Sequence, residues 1–313
     1  MARTVGIGLQ DFEKIRKEDV LLDDEKEDFL HVSAEMEDYE ASLSLQQLSG
    51  YLYRYYKKKV IILLDEYDTP MQEAYVGGYW NELTAFTRSL FNETFKNNPY
   101  MERAIMTGIT RVSKDFSDLN NLVVITTTSK EYADTFGFTQ GQVDAALQEY
   151  GLFEKRAEVK RWYDGFKFGE KEEIYNPWSI INYLKYQTTG PYWANTSSNR
   201  LISSLLARGA GQVKESFERI LAGDRITTEI DEQIVYDQLD LDERAIWSFL
   251  LASGYLKVCQ MEVLEKNFGQ WKREYTLEIT NFEVKVMFRN MVRDWFAVTG
   301  ANYNLSRISG GNP

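Results

Sequence analysis

Asp65 and Glu66 make the strongest chemical case in the sequence. These adjacent carboxylates end the unbroken apolar run Val60-Ile61-Ile62-Leu63-Leu64, which itself follows Lys57-Lys58-Lys59. A short apolar run without polar alternation predicts a strand buried on both faces, as in a parallel sheet under helices. Open α/β sheets bind ligands at the C-terminal edge of such strands, where this pair would stand. In a phosphate-transfer site the first acid can hold Mg²⁺, and the second can orient or deprotonate an attacking water. The same pair also suits ordinary turn or helix-cap duty. No window of the sequence has the form G-x-x-x-x-G-K-[ST], the loop whose backbone N–H groups cradle phosphates.

Other chemistries find little material. The single histidine, His31, lies in an acidic segment with no nucleophile's partner around it, which argues against Ser-His-Asp and Cys-His sites. The single cysteine, Cys259, excludes an intramolecular disulfide and, with one histidine, a zinc site of the usual Cys/His type. It sits in the strand-like run Tyr255-Leu256-Lys257-Val258-Cys259 and reads as a buried, inert thiol. Glu283-Val284-Lys285 spells the E-x-K half of a nuclease signature, but at the start of an expected helix and without an upstream acid in a suitable hairpin. Against 36 basic residues stand 48 acidic ones, a net charge of −12, so the chain has no global attraction to nucleic acid or an anionic membrane. Its 20 Tyr, 17 Phe and 7 Trp imply large buried contacts and allow a surface for a protein partner or self-association. The first residues lack the apolar stretch of a signal peptide and no segment approaches a membrane span, so the cytoplasm is the expected compartment.

Periodicity predicts the elements that would position the two acids. Residues 1–42 form a polar lead-in, with exposed helices over 10–17 and 24–40. Leu43, Leu45, Leu48, Tyr51, Leu52 and Tyr55 predict an amphipathic helix leading into the Val60 strand. A loop containing Gly77-Gly78 is expected after Pro70. A helix over 80–95 then places Trp80, Leu83, Phe86, Leu90 and Phe91 near one face, and Asn97-Asn98-Pro99 stops it. Strands over 103–108 and 122–126 complete the rhythm of a parallel α/β sheet. Residues 131–184 read as helices and loops, with a Thr139-capped helix over 139–150, a helix ending at Gly165, and another opening near Pro177. A further helix is expected over 195–207. Residues 208–300 read as a separate unit, with helices over 213–222 and 241–253, strands over 255–259 and 274–279, and a final helix over 281–296. Helix, strand, strand, helix is compatible with a winged-helix-like α+β domain. No basic recognition face is evident, so scaffolding rather than DNA binding is its expected use. Residues 301–313 are expected to be a mobile tail.

Several motifs occur together: the Walker B pattern of an apolar strand and Asp65-Glu66, then Thr107-Gly108-Ile109-Thr110-Arg111-Val112-Ser113-Lys114, Trp162-Tyr163-Asp164-Gly165-Phe166 and Tyr175-Asn176-Pro177-Trp178-Ser179. In this order the chain resembles the bacterial AAA-ATPase-like family over about residues 43–296. That family's members carry a P-loop ATPase domain, often fused to a PD-(D/E)xK nuclease-like domain. The resemblance implies a core over 43–207: a P-loop-NTPase-like parallel sheet, incomplete at its N-terminus, with a helical extension. It implies Mg-ATP as cofactor, bound by Asp65 and Glu66, with Asp65 on Mg²⁺, Glu66 activating the water, Thr107 as a polar sensor near the γ-phosphate, and Arg111 answering phosphate charge. An ion pair of Arg111 with Asp115 or Asp118 is the alternative for that residue. Asp164 and Asn176 match later motifs of the family, and Gly165 and Pro177 are expected to shape turns. The resemblance places the missing Walker A segment ahead of residue 1 and the nuclease-like part beyond the chain's end. The strand order of this division is 5-1-4-3-2, so the absent strand is the central one. Either the sheet has a gap or the strands around Ala104 and Val123 close it. The expected function is ATP binding or hydrolysis coupled to conformational change, impaired without Walker A. The alternative is a non-catalytic protein-interaction module derived from an ATPase.

Overall fold

The computed structural model describes residues 36–110, 119, 122–194, 200–208, 211–232, 239, 243–266 and 270–299. The chain forms two compact units, Met1–Leu122 and Val123–Pro313.

In the first unit, helix α1 (Asp38–Tyr56) ends at Lys57 in a left-handed conformation and delivers the chain to strand β1 (Val60–Leu64). The loop expected after Pro70 is instead helix α2 (Thr69–Gly77). Proline at the helix start has no N–H to waste, and Gly78 at φ +80° provides the left-handed cap. Helix α3 (Trp80–Phe91) runs into a π turn, Asn92–Lys96, before strand β2 (Met101–Met106). β1 and β2 are parallel neighbours, in register from Ile61↔Arg103 to Leu64↔Met106. This order is a parallel pair with a helical crossover, as the α/β rhythm predicts.

Three expectations fail here. β1 is not buried on both faces: Ile61 is 57% exposed and Leu63 73%, and Ile105 on β2 is 54% exposed. The residues that α1 buries are Ser42, Ser49, Gly50 and Tyr51 rather than its leucines. Buried Asn98 donates to Ser49 Oγ at 3.0 Å, and the Tyr100 ring lies over Gly50, where a Cβ would meet it at 3.0 Å. Finally, 122–126 is not a strand, and Val123 is 88% exposed. β-branched residues make a strand only where a ladder partner takes up their backbone groups, and this run has none among the described residues. The sheet of this unit therefore has two strands among the described residues, with no closing strand from 122–126.

The second unit contains two antiparallel sheets. The first has the order β3 (Phe138–Thr139), β5 (Lys171–Tyr175), β4 (Asp164–Phe168), and lies among α4 (Gln140–Glu149), α5 (Arg156–Tyr163) and α6 (Pro177–Tyr186). Val143, Leu147, Val159, Tyr163, Tyr175, Ile180 and Tyr183 form its core. The α4 start is capped as expected, with Gln142 Oε1 accepting the Thr139 N–H at 2.9 Å. Next come α7 (Arg200–Arg208), α8 (Gly211–Ala222), β6 (Ile226–Thr228) and α9 (Glu243–Ala252). β7 (Leu256–Lys266), β8 (Gln270–Ile279) and α10 (Phe282–Thr299) follow, and the sheet order is β6-β8-β7. The expected helix, strand, strand, helix succession is present as α9-β7-β8-α10, with β6 as a third strand and both hairpin strands longer than the sequence suggests. Buried Phe217, Leu250, Leu277 and Phe288 lie in this half.

Candidate functional site

The structure brings Asp65, Glu66 and Thr107 together at the C-terminal ends of β1 and β2. The parallel register explains this: Leu64 pairs with Met106, so the next residues on the two strands leave the sheet side by side. The Thr107 N–H donates to the Leu64 carbonyl at 2.9 Å and the Tyr67 N–H donates to the Thr107 carbonyl at 3.0 Å. The Thr107 hydroxyl accepts the Glu66 N–H at 3.2 Å and donates to Asp65 Oδ1. Glu66 takes a left-handed backbone, φ +49°, which costs a residue with a side chain about 1–2 kcal/mol. Hydrogen bonds on either side, including Thr69 N–H to the Glu66 carbonyl at 3.0 Å, hold it there. Strain of this kind collects where a site fixes the backbone.

Asp65 and Glu66 are both exposed, so a cation could reach either. Thr107 engages one Asp65 oxygen; the other takes no hydrogen bond among the described residues. A hard cation such as Mg²⁺ needs only one or two carboxylates when phosphate oxygens and water complete its shell, so this donor set fits one. No group of three or more His, Cys, Asp or Glu residues placed to hold a metal occurs among the described residues. Arg111, Asp115 and Asp118 lie outside the described residues, as does His31.

Two residues of this site escaped sequence reasoning. Asp68 is buried, and its Oδ2 accepts from Ile109 N–H at 2.9 Å, Thr110 N–H at 2.7 Å and Thr110 Oγ1 at 2.8 Å. The Tyr67 hydroxyl donates to the Thr110 carbonyl. The available signal was the second aspartate of Asp65-Glu66-Tyr67-Asp68, three residues after the first.

The later motifs have structural work in the second unit. The buried Tyr163 hydroxyl donates to the Gly190 carbonyl at 3.1 Å and accepts the Gly190 N–H at 3.0 Å. Gly165 lies inside β4 rather than ending a helix, and its φ of +144° with the Thr280 carbonyl pressed against it admits no Cβ. Asp164 takes a 3.1 Å ion pair from Lys160. Asn176 caps α6 by accepting the Trp178 and Ser179 N–H groups, with Pro177 at the helix start as expected.

Glu283, the acid of the E-x-K triplet, closes this junction. It is 0% exposed. Its Oε2 accepts from Ser179 Oγ at 2.8 Å, and its Oε1 accepts from Trp193 N–H at 2.6 Å and Ala194 N–H at 3.2 Å. Burial raises its pKa against the pull of these donors, and burial lowers that of Lys285. Both oxygens of this fully buried carboxylate already accept protein donors, which suits a structural acceptor rather than a solvent-accessible metal ligand. Cys259 is half-buried rather than buried; desolvation, then the adjacent Glu278, push its thiol up to about 11.

Comparison with known proteins now bears on the strand-end pair. Residues 20–116 match the AAA-ATPase-like family, described as a predicted AAA-ATPase. The AAA-ATPase-like segment contains Asp65, Glu66, Thr107 and Asp68. The chain is also 26% identical over 231 residues to an uncharacterized protein in the vnfD 5′ region of Azotobacter chroococcum mcd 1, an alignment covering 73% of this chain. It spans only 42% of that relative's length. No solved structure matches. Among the described residues, no helix is long and apolar enough to cross a membrane.

Proposed function

We propose that the AAA-ATPase-like segment binds Mg-ATP at the joined ends of β1 and β2 and couples it to conformational change. The hydrogen bond between Thr107 and Asp65 carries this reading, because it unites the acid that follows one strand with the polar residue that follows its parallel neighbour. Asp65 holds Mg²⁺, which supplies charge neutralisation for the phosphates, and Glu66 orients a water. Thr107 senses the γ-phosphate end, and Arg111 answers phosphate charge. Phosphoryl transfer depends on positioning and charge stabilisation, and the sequence has no phosphate-loop pattern, so we infer weak binding and impaired hydrolysis for this polypeptide. The parallel β1–β2 pair is read as part of a P-loop-type sheet, and α9-β7-β8-α10 as a winged-helix-like scaffold. A double-mutant cycle on Mg-ATP affinity tests the pairing. Asp65→Asn and Thr107→Val should be non-additive by about 0.5–1.5 kcal/mol. Strict additivity would remove Thr107 from the site.

The second reading is a non-catalytic interaction module, and the apolar face of the β1–β2 sheet favours it. Leu63 and Ile105 are register partners and Ile61 lies on the same side of β1 as Leu63, and all three are exposed. A parallel pair is ordinarily covered on both faces. Sedimentation of the full chain separates the readings: self-association abolished by Leu63→Lys supports the interaction module, and a strictly monomeric chain weakens it.

A further inference from the structure

Asp68 occupies the position just before α2, where an aspartate ordinarily accepts the first N–H groups of its own helix. It does not: no side-chain cap bond joins Asp68 to α2. Its buried carboxylate crosses to a loop about forty residues away and takes two backbone N–H groups and one hydroxyl there, at 2.7–2.9 Å. A buried carboxylate requires such donors, and these charge-assisted bonds are the stronger kind.

The β1–β2 pairing ends at Leu64↔Met106, and Thr107 N–H to the Leu64 carbonyl is the next rung. Beyond it, residues 107–110 are pinned to residues 65–68 at both ends: Thr107 by Asp65, Glu66 N–H and Tyr67 N–H, and Thr110 by Asp68 and the Tyr67 hydroxyl. Gly108 lies between the pins. A Cβ there would come within 2.6 Å of the Tyr67 ring and 2.7 Å of Asp68 Oδ1, so the two segments approach as closely as a glycine permits.

We propose that Asp68 is a positioning residue for the strand-end site: by fixing Ile109 and Thr110 it sets the loop after β2, and so holds the Thr107 hydroxyl between Asp65 and the Glu66 N–H. Asp68 itself touches neither metal nor nucleotide. Its consequence for nucleotide rests on the Mg-ATP reading; its control of Thr107 does not.

The test is amide exchange, resolved by residue, on the full chain and three variants. Asp68→Ala should speed exchange at Ile109 and Thr110 and, through displacement of Thr107, at Glu66 by about ten-fold, while β1 and β2 amides keep their protection. Asp68→Asn, whose amide oxygen can accept from the same three donors, should restore the wild-type pattern. Thr110→Val removes only the hydroxyl bond and should give a smaller increase at the same three amides; it carries the test if Asp68→Ala does not fold. Unchanged exchange at Glu66, with or without a loosened 109–110, overturns the proposal. Mg-ATP binding of the same proteins is measured alongside. Asp68→Ala should weaken it about ten-fold with Asp68→Asn near wild type. Equal binding by both variants would also overturn the proposal. A wild-type chain that binds no Mg-ATP would instead sink the Mg-ATP reading and leave the exchange result to decide the role of Asp68.

Discussion

Removing the carboxylate of Glu283 should destabilise the second unit far more than neutralising it. Glu283→Ala removes the acceptor that the Trp193 and Ala194 N–H groups and the Ser179 hydroxyl share. A buried donor left without an acceptor costs about 1–3 kcal/mol, so the two amides alone cost about 2–6 kcal/mol. The Ser179 hydroxyl can rotate toward another acceptor, and relief of the carboxylate's desolvation offsets part of the loss. A net destabilisation of about 3 kcal/mol is expected. Glu283→Gln keeps an oxygen for the two amides and presents an NH₂ to Ser179 Oγ, which can accept; it should cost under about 1 kcal/mol. The pH dependence has a defined sign. The folded-state pKa of Glu283 is raised above 4.5, with burial the largest cause. Its contribution is therefore full below about pH 4.5 and is lost as pH rises through the folded-state value. Wild type should lose stability relative to Glu283→Gln, which does not titrate, as pH climbs from about 4.5. Urea denaturation of the three proteins across that range measures both effects. Glu283→Ala within about 0.5 kcal/mol of wild type would refute the buried-acceptor role, as would Glu283→Gln no better than Glu283→Ala.

Three further outcomes check the same junction and its neighbour strand. Gly165→Ala should cost about 2–4 kcal/mol, because the positive φ is strained and the Thr280 carbonyl must move; a wild-type urea midpoint would contradict this. Tyr163→Phe removes a hydroxyl that both donates to and accepts from Gly190, and should lower stability by about 1–2 kcal/mol; an unchanged midpoint would show that the pair contributes nothing. Cys259, half-buried and with its thiol pushed up to about 11, should react with a thiol reagent slowly near neutral pH and faster as pH approaches that value; rapid stoichiometric labelling at neutral pH would contradict the raised pKa.

The site was legible where chemistry and strand ends coincide in sequence. Val60–Leu64 announced a strand, the Asp65-Glu66 pair marked its carboxylate-bearing end, and Thr107 followed the next strand, which the parallel register places beside it. Asp68 was not legible, because its partners Ile109 and Thr110 are close only once β1 and β2 pair. The β4–β5 hairpin was missed for a different reason. Lys171-Glu172-Glu173 exposes three charged residues in a row, and only Ile174 and Tyr175 turn inward, so no period of 2 appears. The converse holds at 122–126, where β-branched composition has no ladder partner among the described residues. Gly165 was recognised as conformationally special, but not that the reason is a carbonyl more than a hundred residues away. In each case the sequence carries local preference, and the missing information is a contact between distant segments.

Equilibrium binding of Mg-ATP to the full chain, with and without Mg²⁺ and with Asp65→Asn as control, tests the central claim most directly. The account predicts saturable binding that requires Mg²⁺, weak because no phosphate-loop pattern is present but tighter than about 1 mM, and at least ten-fold weaker in the variant. No saturable binding, or equal binding by Asp65→Asn, would contradict it and turn attention to the exposed face formed by Ile61, Leu63 and Ile105.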